Sequence, residues 1–179
     1  MVRRQKHARA AIVGLGNVLL MDDGVGVHAI RMLSGQAPEG IVLAEVGTAL
    51  LDALELFESV DVVVAIDAVA AGGSPGSIYC FDVNDAQVPK HVSLHELGIA
   101  AALRLLPAKS RPRVLILGIE PAVVDYGTQL SPAVGAVLGQ VTRTACAMAD
   151  QLMHRAADGA TPQDFSSYDR QLELNRETT

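Results

Sequence analysis

Residues 13–26 read Val13-Gly14-Leu15-Gly16-Asn17-Val18-Leu19-Leu20-Met21-Asp22-Asp23-Gly24-Val25-Gly26, and they continue an apolar run that begins at Ala10. The run Ala10–Leu15 predicts a buried strand that breaks at Gly14 and Gly16. Val25, Ala29, Met32 and Leu33 then share one helical face, with Asp22 and Asp23 at the start of that helix. Strand, glycine turn and helix in this order open an α/β unit. A turn of this kind can cradle a pyrophosphate, but such a loop needs a small residue where Leu19 stands. It also needs a helix N-terminus free of negative charge. Two aspartates repel a phosphate and attract a cation, so the turn suits a metal or proton chemistry.

Outward from this stretch, strand-like runs recur at Ile41–Val46, Val60–Ile66, Ser77–Val83 and Arg113–Ile119, several of them apolar almost throughout. Parallel strands covered on both faces read this way. Helical patterns fall between most of them: Ala49–Phe57, with Leu50, Leu54 and Phe57 in phase, and Leu94–Leu106, with apolar residues at 94, 97, 101 and 105. Ser131-Pro132 supplies a cap and a first-turn proline for a last helix carrying Val134, Val137, Leu138, Val141, Ala145, Met148 and Leu152. The link Ala70–Gly76 is too short for a helical crossover, so the fourth strand is expected antiparallel to the third, at an edge. The expectation is a single-domain, twisted, mostly parallel five-stranded sheet with helices on both faces. That domain covers residues 1–154, and the polar, aperiodic residues 155–179 form a mobile tail.

Composition narrows the function. The 179 residues are 50% hydrophobic but 3% aromatic, so the core is aliphatic. A net charge of −6 argues against nucleic acid, whose binding rests on basic contacts to phosphate. Cys80 and Cys146 match no metal or redox spacing and read as small buried hydrophobes, which points to a reducing cytoplasm. Arg3, Arg4, Lys6 and Arg9 ahead of the apolar stretch resemble the start of a signal peptide. Asn17 and Asp22-Asp23 interrupt that pattern, and no cleavage site follows. No apolar run approaches the roughly 20 residues that span a bilayer.

Ionisable groups stand out at three places. Asp22 and Asp23 follow the first strand. Asp67 ends the apolar run Val62–Ile66, where desolvation demands a partner or a function. Ser93-Leu94-His95-Glu96 fits a capping box, which sets His95 in a first helical turn, where the dipole lowers the imidazole pKa. Each also has a plain structural reading: Asp23 as a helix cap, Asp67 bonded to its own turn, His95 at the surface. Asp22 and Asp23 cannot both be that cap. Two acids and a histidine at neighbouring strand ends form either an O,O,N metal set or a carboxylate pair with a base for hydrolysis, and spacing alone does not choose. His7, His28, His91 and His154 read as surface residues.

Together these segments resemble the hydrogenase maturation proteases, which trim the large subunit of nickel–iron hydrogenases. The matching residues are Gly14-Leu15-Gly16-Asn17 with Asp22-Asp23-Gly24-Val25-Gly26, Ile66-Asp67-Ala68, Ser74-Pro75-Gly76, Ser93 to Gly98, and Leu117 to Pro121, in the family's order over residues 10 to 150. The resemblance implies an aspartyl endopeptidase that removes a C-terminal extension from the large-subunit precursor after nickel insertion. It implies Asp23, Asp67 and His95 as catalytic and metal-contacting positions, and Gly16, Asn17, Asp22, Glu45, Gly47 and Thr48 as substrate-binding ones. Some relatives carry glutamate where Asp23 stands. Many have Asp-Gly-Gly-Thr where this chain reads Glu45-Val46-Gly47-Thr48, so the acid is longer and a glycine has become valine. The nickel is expected in the substrate rather than resident in the enzyme, although an enzyme-held metal that activates water is the other version. The competing classes are a non-catalytic module that recognises a nickel-loaded maturation partner, and a nucleotide-binding domain.

Overall fold

The computed structural model describes residues 9–83 and 94–157. Five strands alternate with four helices: β1 (Ala10–Leu15), α1 (Val25–Leu33), β2 (Ile41–Gly47), α2 (Leu54–Ser59), β3 (Val62–Ala68), β4 (Ile78–Asp82), α3 (Leu94–Leu105), β5 (Arg113–Ile119) and α4 (Pro132–Ala157). The sheet order is β2-β1-β3-β5-β4, parallel throughout except for β4, which runs antiparallel to β5. β4 is the expected antiparallel edge, with β5 lying between it and β3.

Why these segments take these forms follows from their side chains. β1 and β3 are buried along their whole length, and apart from Asp67 they carry only apolar or small residues. Alternation sends Ile12, Val62, Val64 and Ile66 to one face, against α1 and α4. It sends Val13, Val63 and Ala65 to the other, against Phe57 of α2 and Ile99 and Leu103 of α3. β3 reaches Ala68 because Asp67 and Ala68 still pair with Gly118 and Ile119. Asp67 therefore lies inside the strand rather than after it.

The segment expected as one helix over Ala49–Phe57 is a 3-10 turn, Leu50–Ala53, followed by α2. At the other end, α4 begins at the expected cap: Ser131 Oγ accepts from Val134 N at 3.4 Å. It runs to Ala157, past the expected boundary at 154, and the residues expected as a mobile tail from 158 onward lie outside the described residues.

The tightest junction is where α1 crosses the ends of β1 and β3. A Cβ on Gly26 would strike the Ile66 carbonyl oxygen and come within 2.6 Å of Leu15 N and O. No larger residue allows α1 to sit this deep. Gly26→Ala is expected to destabilise the fold by about 2 kcal/mol, as overpacking does. By contrast a Cβ on Gly135, in the first turns of α4, meets nothing within 4 Å. Gly135→Ala is expected to stabilise by about 0.5–1 kcal/mol. Urea unfolding of both variants checks the pair.

Candidate functional site

The chain leaves β1 towards β2 on one side and reaches β3 on the other, by way of helices on opposite faces of the sheet. The carboxyl ends of β1 and β3 therefore flank a topological switch point, where open α/β sheets place their ligands. Asp23 lies just beyond the end of β1, and Asp67 is the next-to-last residue of β3.

Met21 has φ +50, the one positive value outside glycine among the described residues. Left-handed backbone is costly for such a residue and persists only where the surroundings impose it. Here Met21 N donates to Gly127 O at 2.9 Å and Gly127 N to Leu19 O at 3.0 Å. The strained turn leads into a 3-10 turn, Met21–Gly24, whose successive side chains diverge by about 120°. The two aspartates consequently part ways.

Asp22 turns inward and is fully buried. Its Oδ2 accepts from Ala122 N at 2.9 Å and Val123 N at 3.0 Å, and its Oδ1 from Ser131 N at 2.7 Å. Burial alone would raise the Asp22 carboxyl, but the bonds from Ser131, Val123 and Ala122 outweigh it and hold the group below its ordinary value. These bonds give Asp22, expected among the substrate-binding residues, a structural use. It clamps the loop after β1 to the loop after β5 and to the start of α4.

Asp23 turns the other way and is half-buried. Its Oδ2 accepts from Asn17 N at 2.7 Å, closing the glycine turn, and Oδ1 carries no hydrogen bond among the described residues. The helix-cap reading fails, because Gly24 is the N-cap of α1 and no side chain caps it. Gly16, at φ +99, lets the Asp23 carbonyl oxygen rest where a Cβ would stand. The glycines thus bring backbone against backbone within the loop.

Asp67 is fully buried, and its Oδ1 accepts from Ala68 N at 2.9 Å. Alternation with Val63 and Ala65 puts it on the α2/α3 face. α3 leads into the start of β5, so its first turn lies toward the carboxyl edge on that face, and His95 is its second residue. The His95 side chain, like the capping residue Ser93, lies outside the described residues, as do His7 and His91. Among the described residues no three His, Cys, Asp or Glu side chains form a metal cluster.

The remaining expected residues come together. Gly16, Asn17, Glu45, Gly47 and Thr48 line an open groove of about 270 Å³ between α1 and β2. Val18, Val27, Val46 and Arg31 complete its lining and were not singled out from sequence, although Val27 and Arg31 share a helical face at i, i+4. Glu120 was not singled out as a buried acid from sequence. It is nearly buried, and it accepts from Ala71 N at 2.9 Å, Gly72 N at 3.2 Å and Tyr79 Oη at 2.8 Å. An acid at the end of an apolar strand is the same signal that drew attention to Asp67. Burial pushes the Glu120 carboxyl up, and these bonds, the Tyr79 hydroxyl first, bring it below its ordinary value. His28, expected at the surface, is half-buried with Nε2 shielded from solvent, whereas His154 is exposed beside Asp150 at 3.4 Å. Cys80 and Cys146 are half-buried and outside any disulfide, and burial pushes the Cys146 thiol up.

Because the folded-state pKa values of Asp22 and Glu120 lie below the ordinary ones, their stabilisation is complete above about pH 4.5. It is lost as pH falls through the folded values. Asp22→Asn and Glu120→Gln are expected to flatten the acid limb of a plot of Tm against pH. Asp22→Ala, which leaves the Ser131 N–H unpaired in the interior and removes the bonds from Ala122 N and Val123 N, is expected to cost at least about 2 kcal/mol at neutral pH.

Comparison with known proteins agrees with this fold. The model of the hydrogenase maturation protease family matches residues 27–148. The hydrogenase expression/formation protein HoxM of Azotobacter vinelandii is 32% identical over 144 residues, covering 75% of this chain and 69% of that protein. HupD of Rhodobacter capsulatus, also named a hydrogenase expression/formation protein, is 34% identical over 139 residues, covering 72% of this chain and 65% of its own. The match thus spans about two thirds of these relatives' length. Among solved structures, the hydrogenase maturating endopeptidase HybD of Escherichia coli superposes with a TM-score of 0.69 at 25% identity, over 80% of this chain and 93% of that one. No helix among the described residues is long and apolar enough to cross a membrane. The chain belongs to the hydrogenase maturation protease family.

Proposed function

We propose that this protein is an endopeptidase that removes the C-terminal extension of a nickel–iron hydrogenase large-subunit precursor after nickel has entered that precursor. The observation that carries the reading is the divergence of the two consecutive aspartates. Asp22 is spent on structure, and Asp23 keeps an oxygen without a bond among the described residues, near the end of the strand beside the one that carries the buried Asp67.

Nickel belongs to the substrate in this reading. Asp23, Asp67 and His95 offer two carboxylates and an imidazole, donors that nickel(II) accepts alongside the thiolates of a hydrogenase site. Contact with the substrate's metal would then seat the scissile peptide only when nickel is present. Asp23 acts as general base: it takes a proton from water as the water oxygen bonds the scissile carbonyl carbon. The C–N bond breaks, and the proton passes to the departing amine. Burial pushes the Cys146 thiol up, which disfavours the thiolate that a cysteine nucleophile needs. Two cysteines outside any disulfide fit a cytoplasmic location.

Incubating the protein with nickel-loaded and nickel-free precursor, followed by intact-mass measurement, tests the proposal. Loss of the C-terminal peptide is expected from the loaded form alone. Asp23→Asn keeps an acceptor for Asn17 N and removes the charge; it is expected to slow cleavage at least about 100-fold. Asp67→Ala is expected to abolish cleavage, with the circular dichroism of both variants retained. Equal cleavage of both precursors overturns the nickel dependence. A stable complex with no change in mass would instead identify a binding module.

A further inference from the structure

Folding leaves the large apolar side chains of Leu19, Val123, Val124 and Tyr126 exposed. They gather on two loops, one after β1 and one after β5. The other exposed large apolar residues among those described fall singly on α1, β2, the turn before α2, and α3. Backbone bonds tie the two loops together: Met21 N donates to Gly127 O at 2.9 Å, Gly127 N to Leu19 O at 3.0 Å, and Asp22 N to Val123 O at 3.3 Å. Gly127 permits the close approach, since a Cβ there would come within 2.8 Å of Met21 Cγ. Asp22 Oδ2 holds the second loop again, through Ala122 N and Val123 N.

Tyr126 is the clearest of the four. The chain is 3% aromatic, and the other described aromatics have internal uses. Phe57 is a core residue, Phe81 packs against the same core, and the Tyr79 hydroxyl donates to Glu120. Tyr126, by contrast, is 89% exposed, in a turn fixed by its own N–H bond to Asp125 Oδ1 at 2.7 Å. Exposed apolar clusters mark contacts with other molecules, and aromatic side chains are their usual anchors. This cluster borders the site: Leu19 N donates to Asn17 Oδ1 at 3.0 Å, and Asn17 N to Asp23 Oδ2 at 2.7 Å.

Charge helps to select the occupant. A second copy of this chain brings another net charge of −6, and an anionic membrane meets the same repulsion, with Asp125 exposed between Val124 and Tyr126. Continuity with the site favours the molecule on which the site acts. A precursor that has taken up nickel is folded around the metal, because metal binding and folding are coupled, so it presents a surface as well as a tail. We infer that Leu19, Val123, Val124 and Tyr126 form a platform on which the folded body of the large-subunit precursor docks, through an apolar patch flanked by basic side chains, while its C-terminal extension enters the site at Asp23. The inference rests on the proposed endopeptidase reading for the identity of the partner. Contacts made equally before and during hydrolysis set KM and not kcat, so loss of the platform falls on KM for the whole precursor.

The test uses the full chain, nickel-loaded precursor, and a synthetic peptide spanning the cleavage site. Tyr126→Ser is expected to raise KM for the precursor about tenfold, as loss of an aromatic anchor does, with little change in kcat or Tm. Kd for the peptide, which has no folded body to reach the platform, is expected to stay at the wild-type value. Val124→Ser is expected to act in the same direction and serves if Tyr126→Ser fails to fold. Wild-type KM in both variants, or an equal loss of affinity for the peptide, overturns the inference. So does a wild-type dimer that Tyr126→Ser dissolves, which assigns the platform to a second copy. Binding to phosphatidylglycerol vesicles that the variant loses assigns it to a membrane and overturns the inference too. Failure of the wild-type chain to cleave sinks the endopeptidase reading. Binding of the intact precursor is then read alone, and a Kd that Tyr126→Ser leaves unchanged, or a wild-type chain that does not bind, overturns the docking assignment as well.

Discussion

The site depends on one buried carboxylate. Asp22 accepts three backbone N–H groups from two segments about a hundred residues away in the chain, at Ala122 and Val123 and at Ser131. Each of those donors is a group that helix and loop geometry leaves without an internal partner. Without an acceptor here the Ser131 N–H would be stranded in the interior. The same loop carries the left-handed turn at Met21, held by Gly127, and beyond that turn the two aspartates diverge. Electrostatics and geometry meet at this point: a carboxylate held ionised by its neighbours lies beside a backbone conformation that the loop's own sequence disfavours.

A second constraint is steric. α1 rests on the ends of β1 and β3 through Gly26, whose missing side chain leaves room for the Ile66 carbonyl. The helix therefore starts close to the sheet, and the next turns of the same helix present Val27 and Arg31 to the groove. Glycine richness that looks like a phosphate cradle thus serves internal packing. The acids beside it explain why: a loop that must hold Asp22 in and Asp23 out has no place for a pyrophosphate.

Much of the architecture was legible in the residues. The run Ala10–Leu15 and the strand Arg113–Ile119 match expectation residue for residue, because a strand buried on both faces tolerates nothing but apolar side chains. Boundaries slipped where pairing outlasted hydrophobicity, as at Asp67, whose place in β3 comes from its ladder partner Gly118. Asp23 and Asp67 were legible as acids that apolar surroundings do not explain. Glu120 carried the same signal and a structural use, as the acceptor that holds the Ala71–Gly72 turn and Tyr79. Arg31 carried no signal, since an arginine on a helix face ordinarily meets only water.

From sequence alone came the class of fold, the order of its elements and the acids worth watching, because burial and periodicity are local properties of a chain. Which aspartate of the pair became the clamp and which faced the site was decided only in the tertiary structure, by donors at Ala122, Val123 and Ser131 that no local pattern connects to Asp22. The ion pair between Arg31 and Glu45 has the same origin. A hydrogen bond depends on where two groups meet in space, and that meeting is set by the packing of α1 on the sheet.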